Sequence, residues 1–174
     1  LLYYSTVQDK DNSIAIVAYD KTKKVVYFIE NKHFFQTAHL WDNYTKLFGK
    51  GKSDINSVMS NVGSLFLMSD YSYSSNGSDY YSVSGNNYTE MVGFVFNPDN
   101  QMSEFWVYIK SYSVIETIYD NLRSLYEEAK TENTDKTHVF YNKDKTLKIV
   151  LDLGNFAVVY NNQAMKQHVH DTSI

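Results

Sequence analysis

The residues best suited to chemistry stand near the C-terminus, where the chain reads His168-Val169-His170-Asp171. On an extended strand, residues i and i+2 point the same way, so two imidazoles could share a zinc ion. A third ligand would have to come from elsewhere, and a polar tail is the plainer reading. No metal is therefore expected, with His168 and His170 as the candidates if one binds. Asp9-Lys10-Asp11-Asn12-Ser13 alternates oxygen ligands as calcium loops do, yet lacks the following glycine and the distal glutamate, and reads as a turn. Gly49-Lys50-Gly51-Lys52-Ser53 echoes a phosphate loop, but Lys46 stands where the upstream glycine belongs, so this too reads as a turn between helices. No serine lies in a G-x-S-x-G elbow, His33, His39 and His138 stand singly, and Glu127-Glu128 reads as a solvated helix face. The chain has no cysteine, which excludes disulfides, thiolate metal sites and cysteine nucleophiles. No cofactor is expected.

Tyrosine carries more suggestion. The chain has 174 residues, of which 16 are tyrosine, against one proline (Pro98) and one arginine (Arg123). Arginine is the usual bidentate clamp for phosphate, so its scarcity, with a net charge of −4, speaks against nucleic acid as a partner. Asp70–Asn87 is almost wholly Ser, Tyr, Asn and Gly, and reads as a long loop or a loose, exposed hairpin. Tyr71, Tyr73, Tyr80, Tyr81 and Tyr88 in that setting have the chemistry of binding loops, in which aromatic faces anchor and small polar groups adapt. The alternative is an insertion without a ligand.

The elements around this segment follow from periodicity. Ser13–Asp20 and Lys24–Glu30 are β-branched and aromatic with a polar link, a β-hairpin, and Leu1–Gln8 adds a third strand. Thr37–Phe48 and Asp54–Val62 carry apolar residues at helical spacing, with Gly49 and Gly63 as stops and Ser53 as an N-cap. Ser64–Ser69 reads as a strand. Glu90–Asn97 and Ser103–Lys110 form a second hairpin around Pro98-Asp99. Ser113-Val114-Ile115-Glu116 is a capping box, and the stripe Ile115, Ile118, Tyr119, Leu122, Leu125, Tyr126 and Ala129 predicts one long amphipathic helix. Thr137–Asn142, Thr146–Leu153 and Phe156–Asn161 are three strands, the last two joined by a two-residue Gly154-Asn155 type II′ turn. Leu147, Ile149, Leu151 and Leu153 alternate with polar residues, so one side of this sheet faces water.

Helices packed on one face of a mostly antiparallel sheet make an α+β fold. The reading is one globular domain over 1–174, with 164–174 as a C-terminal tail; the element order also admits a diverged duplication of a β-β-α-β-β unit, with halves 1–87 and 88–163. No apolar run reaches the about 18 residues that span a bilayer.

The Lys/Asn/Tyr/Asp-rich texture, and strands such as Asp144–Leu153 followed by Gly-Asn and Phe156–Tyr160, resemble uncharacterised secreted or lipid-anchored domains of Bacteroidetes. The resemblance implies an extracytoplasmic location (secreted, periplasmic or cell-surface), a lipid anchor upstream of Leu1, and no assigned activity. The first functional expectation is a non-catalytic binding or interaction module that holds a protein or glycan with its open sheet face and the Tyr71–Tyr88 segment. The second is a small-ligand sensor-like domain, since Val92–Asn161 resembles the PAS-like order of two strands, a helix and three strands. The third is a hydrolase whose site assembles from distant residues.

Overall fold

The computed structural model describes residues 3–8, 14–19, 25–30, 42–56, 68–75, 78–83 and 89–167. Within them the strands fall into two antiparallel sheets. β1 (Tyr3–Gln8), β2 (Ile14–Tyr19) and β3 (Val25–Glu30) form the smaller one, in that order. The larger sheet contains β4 (Met68–Ser75), β5 (Ser78–Val83), β6 (Thr89–Phe96), β7 (Met102–Ile109), β8 (Glu127–Glu128), β9 (Thr137–Tyr141), β10 (Leu147–Asp152) and β11 (Ala157–Asn162). Its spatial order is β4-β5-β6-β7-β11-β10-β9-β8, and each neighbouring pair runs antiparallel. The fold is α+β, as the periodicity implies. No helix among the described residues is long and apolar enough to cross a membrane.

One face of the large sheet carries the core. Phe94 on β6, Phe105 and Val107 on β7, Tyr160 on β11 and Ile149 on β10 are buried together with Ile118 and Leu122 of the helix α1 (Ile115–Leu125). Tyr44 and Leu47, from a 3₁₀ helix at Asp42–Leu47, and Ile55, from the helical turn at 52–56, close the same layer. Phe105 stacks on Tyr160 with centroids 4.6 Å apart, while Tyr44 meets Phe94 and Phe105 edge-on at 5.9 and 5.7 Å. Such pairs add about 0.5–1.5 kcal/mol each beyond the area they bury.

Several local expectations change. The described part of the first helix, Asp42–Leu47, winds as 3₁₀ rather than α; Thr37–Trp41 lie outside the described residues. Gly49 takes φ 86°, the left-handed stop its position implied, and the turn is tied to β7 by Gly49 N–H to the Met102 carbonyl (2.9 Å) and Met102 N–H to the Lys50 carbonyl (2.8 Å). The next helical turn starts at Lys52, not after Ser53, and the Gly51 carbonyl accepts its first bond from Ile55 at 3.1 Å. Of the two readings of the tyrosine-rich segment, the described residues take the hairpin: β4 and β5 pair antiparallel, and β5 pairs along β6 from Ser78↔Val95 to Ser82↔Met91. Tyrosine and serine alternate along β4, and a pleated strand accepts that pattern.

The capping box is displaced. Ser111 caps, accepting the Ser113 N–H at 3.3 Å, and a 3₁₀ turn at Tyr112–Val114 precedes α1, whose own first residue has no side-chain cap. The helix stops at Leu125, because Tyr126 turns extended (φ −128°, ψ 157°) and Glu127 and Glu128 pair with Tyr141 and Phe140 as β8. The type II′ turn is absent. Leu153–Phe156 link β10 to β11 with Asp152 opposite Ala157, and Phe156, not Gly154, takes the positive φ of 57°. The Asp152 carboxylate holds this wider turn by accepting from Asn155 N–H (3.0 Å) and Nδ2 (2.8 Å).

The outer edge of β9 is closed. Beyond its pairing with β8, Val139 donates to Asn133 Oδ1 (2.8 Å) and its carbonyl accepts from Ala129 N–H (2.8 Å). Thr137 N–H meets Thr134 Oγ1 (3.0 Å), and the Thr137 carbonyl accepts from Thr134 N–H (3.0 Å).

Candidate functional site

Among the described residues, polar and aromatic side chains gather on each face of the large sheet. On the face opposite α1, period-two alternation along β7 brings Glu104, Trp106 and Tyr108 into line. All three are half-buried, and the Trp106 and Tyr108 rings stack with centroids 6.1 Å apart and 28° between planes. Trp106 Nε1 donates to Glu104 Oε2 (2.9 Å), and Asn161 Nδ2, from β11, donates to Glu104 Oε1 (3.1 Å). The carboxylate thereby locks the indole in one orientation beside an amide.

Register extends this face toward the tyrosine-rich strands. Trp106 pairs with Gly93, Gly93 with Tyr80, and Tyr80 with Tyr73, so the four occupy one row across β7, β6, β5 and β4. Tyr81 belongs to the neighbouring row, paired with Val92 and through it with Val107. Tyr71 sits where the β4–β5 register shifts. Tyr88, His168 and His170 lie outside the described residues. The structure thus brings two of the five candidate tyrosines into the row of Trp106. The Glu104/Trp106/Tyr108 triplet escaped the sequence reading, although its alternation was legible in S-E-F-W-V-Y-I-K.

On the helix side, the Glu128 side chain is only 7% exposed and the residue lies on β8, a correction to its expected place on a solvated helix face. Its carboxylate accepts from Tyr119 Oη (3.2 and 3.1 Å), from Asn133 Nδ2 (2.8 Å) and, at 3.2 Å, from His138 Nδ1. Burial pushes the Glu128 carboxyl up; the hydrogen bonds from Asn133, His138 and Tyr119, with the charge His138 can carry, outweigh it and leave the pKa lowered. The His138 ring packs on Tyr119 at 4.8 Å. Both rings line a cavity of about 440 Å³ between the start of α1 and the ends of β9 and β10, walled also by Ile115, Leu151 and Leu153. Ser113 lines the same cavity, but its hydroxyl is bonded to Ser111 Oγ at 2.8 Å. An ionised, hydrogen-bond-saturated carboxylate orients His138; it does not serve as a proton-exchanging acid near neutral pH. Among the described residues no group of three or more His, Cys, Asp or Glu side chains is placed to hold a metal.

No family model and no curated protein matches the chain. Among solved structures it is similar to the C-terminal domain of TagH, at 7% identity and a TM-score of 0.40, covering 91% of this chain and 92% of that one. That likeness is too distant to bear on fold or function.

Proposed function

We propose that the chain is a non-catalytic binding module acting outside the cytoplasm, and that it holds a glycan or a ring-bearing protein surface on the sheet face opposite α1. The observation that carries this reading is the Trp106–Tyr108 stack fixed by Glu104. A pre-oriented aromatic plane gives apolar contact at little entropy cost, and the remaining lone pairs of the adjoining Glu104 carboxylate can accept from hydroxyl groups. The extracytoplasmic placement rests on the cysteine-free composition and the textural resemblance.

Soluble oligomers of glucose and of N-acetylglucosamine, titrated while tryptophan fluorescence is followed, test it. Saturable quenching that disappears in Trp106→Ala and weakens about tenfold in Glu104→Gln supports the reading. If no oligosaccharide binds and no protein partner's binding depends on Trp106, the platform has no such role.

A further inference from the structure

The cavity at the start of α1 has a definite electrostatic character. Its lining holds one carboxylate, Glu116, in the first turn of the helix, and the ionised Glu128 lies directly behind His138. Two nearby cations stand outside the lining: Arg123 lies over the Tyr119 ring at 5.1 Å and is paired to Asp120 at 3.4 Å, and Lys136 packs its stem at Gly154. Tyr112 stands at the mouth, 72% exposed, its ring propped on Phe156 with centroids 5.3 Å apart. The inner wall is aliphatic, from Ile115, Leu151 and Leu153. The chemistry of His138 completes the picture. Because the Glu128 carboxylate can only accept, His138 donates to it through Nδ1–H, the tautomer that leaves Nε2 as an acceptor.

We propose that this cavity is a second binding site, for a small organic ammonium that carries an apolar ring or chain. The apolar part fills the space against Ile115, Leu151 and Leu153. The ammonium lies between the Glu116 carboxylate and the Tyr112 ring face, where ion pairing and the ring quadrupole act together, and one of its protons reaches His138 Nε2. An anion of the same shape meets the Glu116 carboxylate, with no cation in the lining to pair with, and is disfavoured. The volume falls in the lower part of the range for small-molecule sites. This site is on the opposite side of the sheet from Trp106 and stands independently of any role for the aromatic face.

Calorimetric titration of the whole chain with phenethylammonium, phenethyl alcohol and phenylacetate, with the His138 imidazole proton resonances followed in parallel, is the test. Phenethylammonium is expected to bind saturably and to shift the His138 signals, with the alcohol about 10-fold weaker and the carboxylate weaker still. Glu116→Gln should weaken the ammonium about 3- to 10-fold at unchanged melting temperature, and Glu116→Asp should restore part of that loss. Trp106→Ala should leave it unchanged. The proposal is overturned if phenylacetate binds as well as phenethylammonium, if Glu116→Gln has no effect, or if none of the three probes shifts His138.

Discussion

The two faces of the large sheet are made by the same strands and differ in what their side chains meet. Along β7, Phe105, Val107 and Ile109 are buried against α1 and the Tyr44 helix, while Glu104, Trp106 and Tyr108, one residue out of phase, are half-buried on the far side. The first set is held by packing alone, ring on ring and aliphatic on ring. In the second, Trp106 Nε1 and Asn161 Nδ2 donate to the Glu104 carboxylate, which fixes the indole's orientation. A period of two therefore separates stability from contact within a single strand.

The sharpest way to break this comparison is to truncate neighbours. Phe105→Ala removes the ring stacked on Tyr160 and should cost about 3–5 kcal/mol in urea unfolding, whereas Trp106→Ala should cost about 1 kcal/mol. Equal losses would mean that the far face is core after all. Glu128→Gln comes next, at about 1–3 kcal/mol near neutral pH, since it removes the charge to which Tyr119, Asn133 and His138 are bonded. The sign with pH is definite. The native carboxyl binds its proton less readily than the unfolded one, so its contribution is complete above the usual carboxylate range and fades as pH falls through and below that range. Acid titration of stability should bring wild type and E128Q together; a constant gap would remove the charge from the explanation. Ser111→Ala should cost about 0.5–1 kcal/mol by melting, because the cap sits there and not at Ser113, and Ser113→Ala should cost less. The smallest effect tests the core face from within. Ser103 is fully buried, and among the described residues its hydroxyl finds no partner, so Ser103→Ala should be neutral or slightly stabilising; a loss above about 1 kcal/mol would reveal a bond.

What was legible in the sequence was periodic. Alternation at Leu147–Leu153 and the β-branched runs of β2, β3, β6 and β11 report directly which residues share a face, and those strands stand where the pattern put them. Helical spacing through Ala129 misled because a stripe at three and four residues says nothing of a partner strand. Pairing of Glu127 and Glu128 with Tyr141 and Phe140 joins positions more than ten residues apart and ends the helix at Leu125. The same blindness hid the Glu128 cluster, whose members come from α1, the turn after β8, and β9. In the tyrosine-rich segment, lack of aliphatic residues leaves loop and hairpin both open, and the alternation Tyr71-Ser72-Tyr73-Ser74 is the guide to the hairpin. Which tyrosines share a row with Trp106 is a matter of register, and register exists only once strands have met.

The closing of β9 by Asn133, Thr134 and Ala129 has a consequence for the behaviour of many copies at once. An unpaired ladder is a template on which another chain can lay down a strand, the first step of fibril growth and of strand-swapped dimers. With those hydrogen-bonding groups already answered by side chains and a returning loop, β9 offers no seed for such polymerisation beyond the two residues that β8 covers.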